Sequence, residues 1–267
     1  MRFVLFLVIL PFLLFSQNKY QKNKHVQIET NTVGKDYIIE YSFKDHFNEI
    51  HNMRFRFDKQ ETDHVISRFG IPYSMFDRYV VNDENLRKHK RILKEGLFKQ
   101  TENTLELDYD AVVSFYKPYC KVIADELIRL LKAQNEDSAL NRIEMAMKFI
   151  QDIPYAIPRK NRKIYKNGCL APIEVLVKGY GDCDSKTLLF SSILTHMIDS
   201  DRIIFVKGHD HVLTAIHYDE KILRKSDFFR YNGKKHYICE TAGPGRRLFG
   251  EKSLSRKKYS LSPLKVE

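Results

Sequence analysis

The chain has 267 residues, 43% of them hydrophobic and 30% charged, which excludes a disordered polymer and leaves room for one large domain or two small ones. Eleven glycines and eight prolines exclude a collagen-like or linker-rich chain, and the absence of an internal repeat argues against a solenoid. A formal net charge of +11 and only four cysteines point to an anionic partner without naming one and rule out a disulfide scaffold of this length.

Met1-Arg2 precede an unbroken apolar run of 13 residues, Phe3 to Phe15, followed by Ser16, Gln17 and Asn18. This is the layout of a secretory signal, and the run is shorter than the roughly 20 residues that a helix needs to cross a bilayer. Residues 1–16 are therefore expected to be a signal peptide. Leu14 is not the small residue usual two positions before cleavage, so an uncleaved anchor is the alternative. The mature chain is expected in the periplasm, the cell envelope or outside the cell, with no transmembrane span. Removing residues 1–16 removes one arginine and no acid, so it stays basic. Export and the lack of a base-reading motif argue against nucleic acid as a partner. Solvated surface and weak attraction to an anionic envelope account for the charge.

Residues 18–35 are polar and read as a loose lead-in. Residues 37–43 read as a strand, and 53–57 alternate as a second. A short helix is expected over 63–69, stopped by Gly70 and Pro72, and a charged helix over 83–99 with sparse apolar positions at Leu86, Ile92, Leu93 and Leu97. Residues 17–110 thus form a mixed N-terminal region. In 111–132, Val122, Ile123, Leu127, Leu130 and Leu131 fall at helical spacing, as do Leu140, Ile143, Met147 and Ile150 in 138–150. A proline-bracketed loop over 154–172 follows. A further helix should begin near Gly181, with strands at 203–207, 211–218 and 236–240.

The segment Gly181-Asp-Cys-Asp-Ser-Lys places Cys183 between a glycine turn and an apolar helical run, where Leu188, Leu189, Leu194 and Met197 can pack against a sheet. A thiol at a helix start meets oriented N–H groups and the positive end of the helix dipole, so its pKa is expected to fall. Thiolate is the nucleophilic form. Downstream, His211 opens a strand and Glu240 closes one. An imidazole held by a carboxylate and facing a helix-start cysteine is the cysteine–histidine–acid arrangement. The plainer readings are a small buried residue, an ordinary strand histidine and a surface acid.

The segments Phe149-Ile-Gln-Asp-Ile-Pro-Tyr, Ala171-Pro-Ile-Glu, Gly181-Asp-Cys-Asp-Ser-Lys, His211-Val-Leu-Thr-Ala and Glu240-Thr-Ala-Gly-Pro-Gly together resemble the bacterial transglutaminase-like cysteine peptidases, over residues 139–250. A weaker echo lies at Phe69-Gly-Ile-Pro and from Asp108 to Tyr116. The resemblance implies an α+β, papain-like core over 111–267, with the nucleophile helix packed on an antiparallel sheet. It implies Cys183 as nucleophile and His211 as base. The third member is usually aspartate, and Glu240 stands at that place; Asp210 and Asp219 fall elsewhere in the pattern. The implied function is an exported peptidase or amidase that acts through a thioester on a peptide or protein substrate and needs no cofactor. The alternatives are a crosslinking acyltransferase and a catalytically idle envelope-binding module.

A metal site built on His209, His211, Cys183 and His217 lacks paired cysteines and is disfavoured. In an oxidising compartment two of Cys120, Cys169 and Cys239 could pair, and a Cys169–Cys183 bridge is conceivable. In the loop before the nucleophile, five of the eight residues 159–166 are basic. Arg159, Lys160, Arg162 and Lys163 are candidate binding residues for an acidic or envelope-associated substrate; the plain alternative is a solvated loop.

Overall fold

Burial of the long apolar stripes organises the chain. The computed structural model describes residues 20–75, 83–101, 104–220, 222, 224, 226–243, 245–251 and 258–266. The expected signal peptide lies outside the described residues. In chain order the elements are β1 (Gln27–Val33), β2 (Asp36–Lys44), β3 (Ile50–Asp58), α1 (Lys59–Ser67), β4 (Ile71–Pro72), α2 (Asp83–Glu95), β5 (Phe98–Thr101), β6 (Thr104–Leu107), α3 (Tyr109–Ala133), α4 (Ala139–Asp152), β7 (Ile164–Tyr165), α5 (Pro172–Lys178), α6 (Cys183–Leu194), β8 (Ile203–Lys207), β9 (Val212–His217), β10 (Phe228–Tyr231), β11 (Lys234–Cys239) and β12 (Ser260–Pro263). The fold is mixed α+β with antiparallel sheets.

Residues 27–33, expected as part of a loose lead-in, are strand β1, the edge of a three-stranded antiparallel sheet in the order β1-β2-β3. Central β2 is buried at most positions, whereas β1 is largely exposed, so its polar sequence carries little strand signal. Phe149 of α4 meets the rings of Tyr41, Phe43 and Phe55 edge-on, and the Tyr41 hydroxyl donates to the Phe149 carbonyl at 2.6 Å. The second sheet, in the order β10-β11-β9-β8-β12, follows strand alternation. Ile203, Phe205, Val212 and Ile216 join the main core under the helices, while Ile204, Val206, Leu213 and Ala215 form a smaller cluster on the opposite face.

Helix α6 carries Leu188, Leu189, Phe190, Ile193 and Leu194 in its later turns, and its serines, Thr187 and Lys186 are buried with them. It packs against α3, α4, α5 and β9, and every one of its residues except Asp184 is buried. Two details depart from the sequence pattern. Val122 is 46% exposed and lies off the stripe that it was expected to join. Helix α5 begins at the last residue of the expected loop and fills the unassigned stretch before α6, with Pro172 at its first turn and Glu174 reaching back to the Ala171 N–H at 3.3 Å; proline at a first helical position already has the right φ and lacks an N–H that would go unused. The main core runs from Val26 to Leu264 without a break at residue 110. No helix among the described residues is long and apolar enough to cross a membrane.

Candidate functional site

Helix α6 starts at Cys183 because Asp182 caps it. The Asp182 carboxylate accepts from the Ser185 N–H at 3.0 Å and from the Ser185 hydroxyl at 2.5 Å, satisfying one of the donors a helix start leaves open. Gly181 keeps the approach close: a Cβ there would lie 3.1 Å from the Ser185 side chain and 3.3 Å from that of Lys186. Burial pushes the Asp182 carboxyl up to about 6, against the Ser185 hydrogen bond.

The Cys183 thiol is not lowered, as a helix start alone suggests. Burial, then the carboxylates of Asp184 and Asp182, push it up to about 12. The capping carboxylate and its neighbour offset the positive end of the helix that would have favoured thiolate. Only 8% of the residue is exposed, and its S–H donates to Asp184 Oδ2 at 3.5 Å. Asp184 also accepts from the Tyr109 hydroxyl, so the start of α3 is tied to this turn. A hydrogen bond from the Val212 backbone N–H acts on the sulfur in the opposite sense, towards thiolate.

Val212 is the residue after His211, and the Thr187 hydroxyl of α6 donates to its carbonyl at 3.3 Å, so the start of β9 lies against the helix that carries the sulfur. His211 Nε2 meets Glu240 Oε2 at 2.8 Å. The Glu240 hydrogen bond raises the imidazole pKa from 6.5, against burial, and Asp184 adds to the rise. The other Glu240 oxygen accepts from the Ala242 N–H at 2.9 Å, which fixes the carboxylate. With Nε2 on Glu240, Nδ1 is the other ring nitrogen; the Cys183 thiol is hydrogen-bonded to Asp184 and not to the imidazole. Strands β9 and β11 are neighbours, Thr214 opposite Cys239, and this register brings histidine and acid together.

Several residues that sequence reasoning did not assign complete the surroundings. Lys186, one turn along α6 from Cys183, is wholly buried, and its ammonium donates to the carbonyls of Ala242 at 2.6 Å, Ile153 at 2.7 Å and Gln151 at 3.4 Å. Burial pushes this lysine down to about 7. The packing explains Gly243, whose φ is +67° and where a Cβ would lie 2.5 Å from the Gln151 carbonyl and 3.1 Å from Lys186 Nζ. The Gln151 amide donates to the Glu240 carbonyl at 2.6 Å. Tyr155 sits in a bridge beside Gly181. Burial raises its hydroxyl to about 12, with Cys183, Asp182, Asp184 and Glu240 adding to the shift, so it remains an O–H donor at neutral pH. The usable signal was that Gln151 and Tyr155 lie in the Phe149–Tyr155 segment and Lys186 in the cysteine segment.

The basic loop divides. Arg159 and Lys160 line a cleft of about 410 Å³ between the loop and α5, whereas Arg162 and Lys163 lie outside its wall. His217, at the far end of β9, meets Asp219 at 2.8 Å and the Lys235 carbonyl at 3.0 Å; His209, His211, Cys183 and His217 form no ligand-spaced group among the described residues. Asp45, Glu49 and His51 do come together, but Asp45 there holds a turn, accepting from the Phe47 and Glu49 amides at 2.8 and 2.9 Å and meeting His51 at 2.7 Å. All four cysteines are buried free thiols.

This arrangement sets an expected alkylation pattern. In the native protein iodoacetamide should label Cys183 well ahead of Cys120, Cys169 and Cys239, whose thiols are more deeply buried and also raised. Its rate should climb about tenfold per pH unit from pH 7 to 10, because the thiolate fraction does. Asp184→Asn should shift that profile to lower pH. A Cys183 rate that levels off below pH 8 would overturn the raised-thiol assignment.

Comparison of the chain with protein-family models, with curated proteins and with solved structures finds no match.

Proposed function

We propose that the protein is an exported cysteine hydrolase, a peptidase or amidase of the transglutaminase-like type, with Cys183 as nucleophile, His211 as base and Glu240 as the group that orients the ring. The observation that carries this reading is the 2.8 Å pair of His211 and Glu240, next to the start of strand β9, which packs against the helix that carries Cys183. A buried helix carrying the cysteine, packed on an antiparallel sheet with histidine and acid on neighbouring strands, is also what a papain-like core requires.

The resting thiol is neutral, so proton transfer accompanies attack. His211 Nδ1 takes the thiol proton as the sulfur bonds to the amide carbon, and the carbonyl π electrons move onto oxygen. Helix geometry leaves the first-turn amides without intrahelical partners, and the Cys183 N–H with the Tyr155 hydroxyl can donate to that oxyanion. Collapse breaks the C–N bond; the departing amine takes the proton from the imidazolium and leaves a thioester. Water, deprotonated by His211, then displaces the thiol and gives the acid. An amine in place of water would give transamidation. The raised thiol, held by Asp184, favours a second reading, an idle binding module of the same fold.

A peptide chloromethylketone and intact-mass spectrometry separate the two. A covalent adduct on Cys183 that vanishes in His211→Ala supports the enzyme; labelling unchanged by His211→Ala supports the idle module.

The base must be neutral to act, and Glu240 raises its pKa. The acid limb of kcat/KM should therefore lie above pH 6.5 in the native protein. In Glu240→Gln it should move down in pH, while the plateau falls roughly 10³-fold for loss of ring orientation. The same pair stabilises the fold fully below pH 6.5, and that contribution fades as pH rises through the raised pKa. A pH–rate profile of the two proteins checks the shift.

A further inference from the structure

The cleft between the basic loop and α5 is the most strongly charged concavity described. Arg159, Lys160, Lys166 and Lys178 line it against one acid, Glu174. That acid is already engaged, bonded to Lys166 at 2.7 Å and to the Ala171 amide, so its charge offsets one lysine and leaves the others to a ligand. The cations come from two segments, Arg159 and Lys160 from the loop and Lys178 from the end of α5. Tyr73, Tyr165 and Tyr180 give the walls flat rings with polar tips, a lining suited to main chain and short side chains. The volume of about 410 Å³ falls within the range of ligand pockets, roughly 300–1,000 Å³.

The cleft adjoins the reactive turn. Tyr180 lies three residues before Cys183, and Arg159 acts on its hydroxyl. Leu170, which also lines the cleft, is pinned to α6, its N–H donating to the Ser185 hydroxyl at 2.8 Å. We infer that this cleft binds a peptide segment carrying aspartate or glutamate next to the amide delivered to Cys183, with Arg159, Lys160 and Lys178 pairing with its carboxylates. This inference rests on the reading of Cys183 as the nucleophile. A cleft of this size suits a few residues of peptide rather than a membrane or a broad polymer surface, which would need an open basic face.

The test measures binding on full-length Cys183→Ala, so that nothing is cleaved. Fluorescence anisotropy would compare a labelled peptide containing three glutamates with its glutamine counterpart, in 20 mM and 300 mM salt. The expected result is preference for the acidic peptide at low salt, lost at high salt as the charges are screened. Lys160→Glu with Lys178→Glu should weaken that binding about tenfold, whereas Lys234→Glu with Lys235→Glu, outside the cleft, should change it less than threefold. Equal loss in both double variants, equal binding of the two peptides, or stronger competition by polygalacturonate than by unlabelled acidic peptide would each overturn the inference. The chloromethylketone experiment reports on the nucleophile separately, so either failure can be recognised on its own.

Discussion

Cys183→Ala is expected to reduce amide hydrolysis to background, a loss of about 10⁴–10⁶-fold in kcat, without unfolding the protein. The sulfur supplies the only covalent step in the proposed reaction, and neither His211 nor Tyr155 can form a thioester in its place. The structural cost should be small. Alanine keeps the helical backbone and the Asp182 cap, which is made with Ser185, and the vacated space is that of one sulfur on a residue still 8% exposed. A shift in melting temperature of at most a few degrees, read by circular dichroism beside the kinetic assay, would show that chemistry and not folding was lost. Retention of activity within tenfold of the parent would sink the nucleophile assignment.

Lys186→Met should do the reverse and strike stability first. Methionine fills a similar volume, but it leaves the Ala242, Ile153 and Gln151 carbonyls without their donor in a dry site. Unpartnered buried carbonyls cost on the order of 1–3 kcal/mol each, and part of the desolvation cost of the lysine itself is recovered, so a net loss of about 3 kcal/mol is expected. In a chain of this size that lowers the melting temperature by roughly 6–12 °C. The pH dependence has a definite sign. Burial depresses the lysine to about 7, so above pH 7 the folded chain sheds a proton that the unfolded chain keeps until about pH 10. Parental stability from this group therefore rises with pH in that window, and the deficit of the methionine variant widens from pH 7 to 10. Denaturant melts at pH 6, 8 and 9.5 would measure it; a deficit that shrinks with rising pH would contradict the depressed pKa.

Local pattern carried some parts of this molecule and could not carry others. Helices α3 and α4 are legible because each buries a periodic apolar face, and α6, β8, β9 and β11 because they carry short apolar runs that are buried on both sides. Strand β1 is not, since Gln27–Val33 is an exposed edge whose ladder is made with β2. Helix α5 was hidden because proline reads as a breaker until it is placed at the first turn. The fall expected for the Cys183 pKa failed because the thiol is buried, and the carboxylates of Asp184 and Asp182 beside it add to the rise. Lys186, Gln151 and Tyr155 were passed over because what defines them is long-range. The Gln151 contact to Glu240 spans 89 residues of chain, and no window of sequence displays it. Within the basic cluster, the sequence offers no means of separating Arg159 and Lys160, in the cleft wall, from Arg162 and Lys163, which lie outside it.

Asp152, at the last turn of α4, has a consequence for modularity. Its buried carboxylate takes the Asn23 amide at 2.8 Å, the His25 ring at 2.6 Å, the Lys44 N–H at 2.9 Å and the Arg246 guanidinium at 2.5 Å. Three distant stretches of chain thus converge on one side chain, adjacent in sequence to the Gln151 and Ile153 carbonyls that hold Lys186. Just beyond, Tyr155 bridges Gln21 on one side and Gly181 on the other. The N-terminal sheet is therefore not a detachable appendage that recombination could exchange or lose while a working cysteine helix stays behind. A substitution at His25 or Asn23, remote in sequence from any chemistry, is felt one bond network away from the turn that carries Glu240, so drift in the N-terminal sheet and drift in the reactive centre are constrained together.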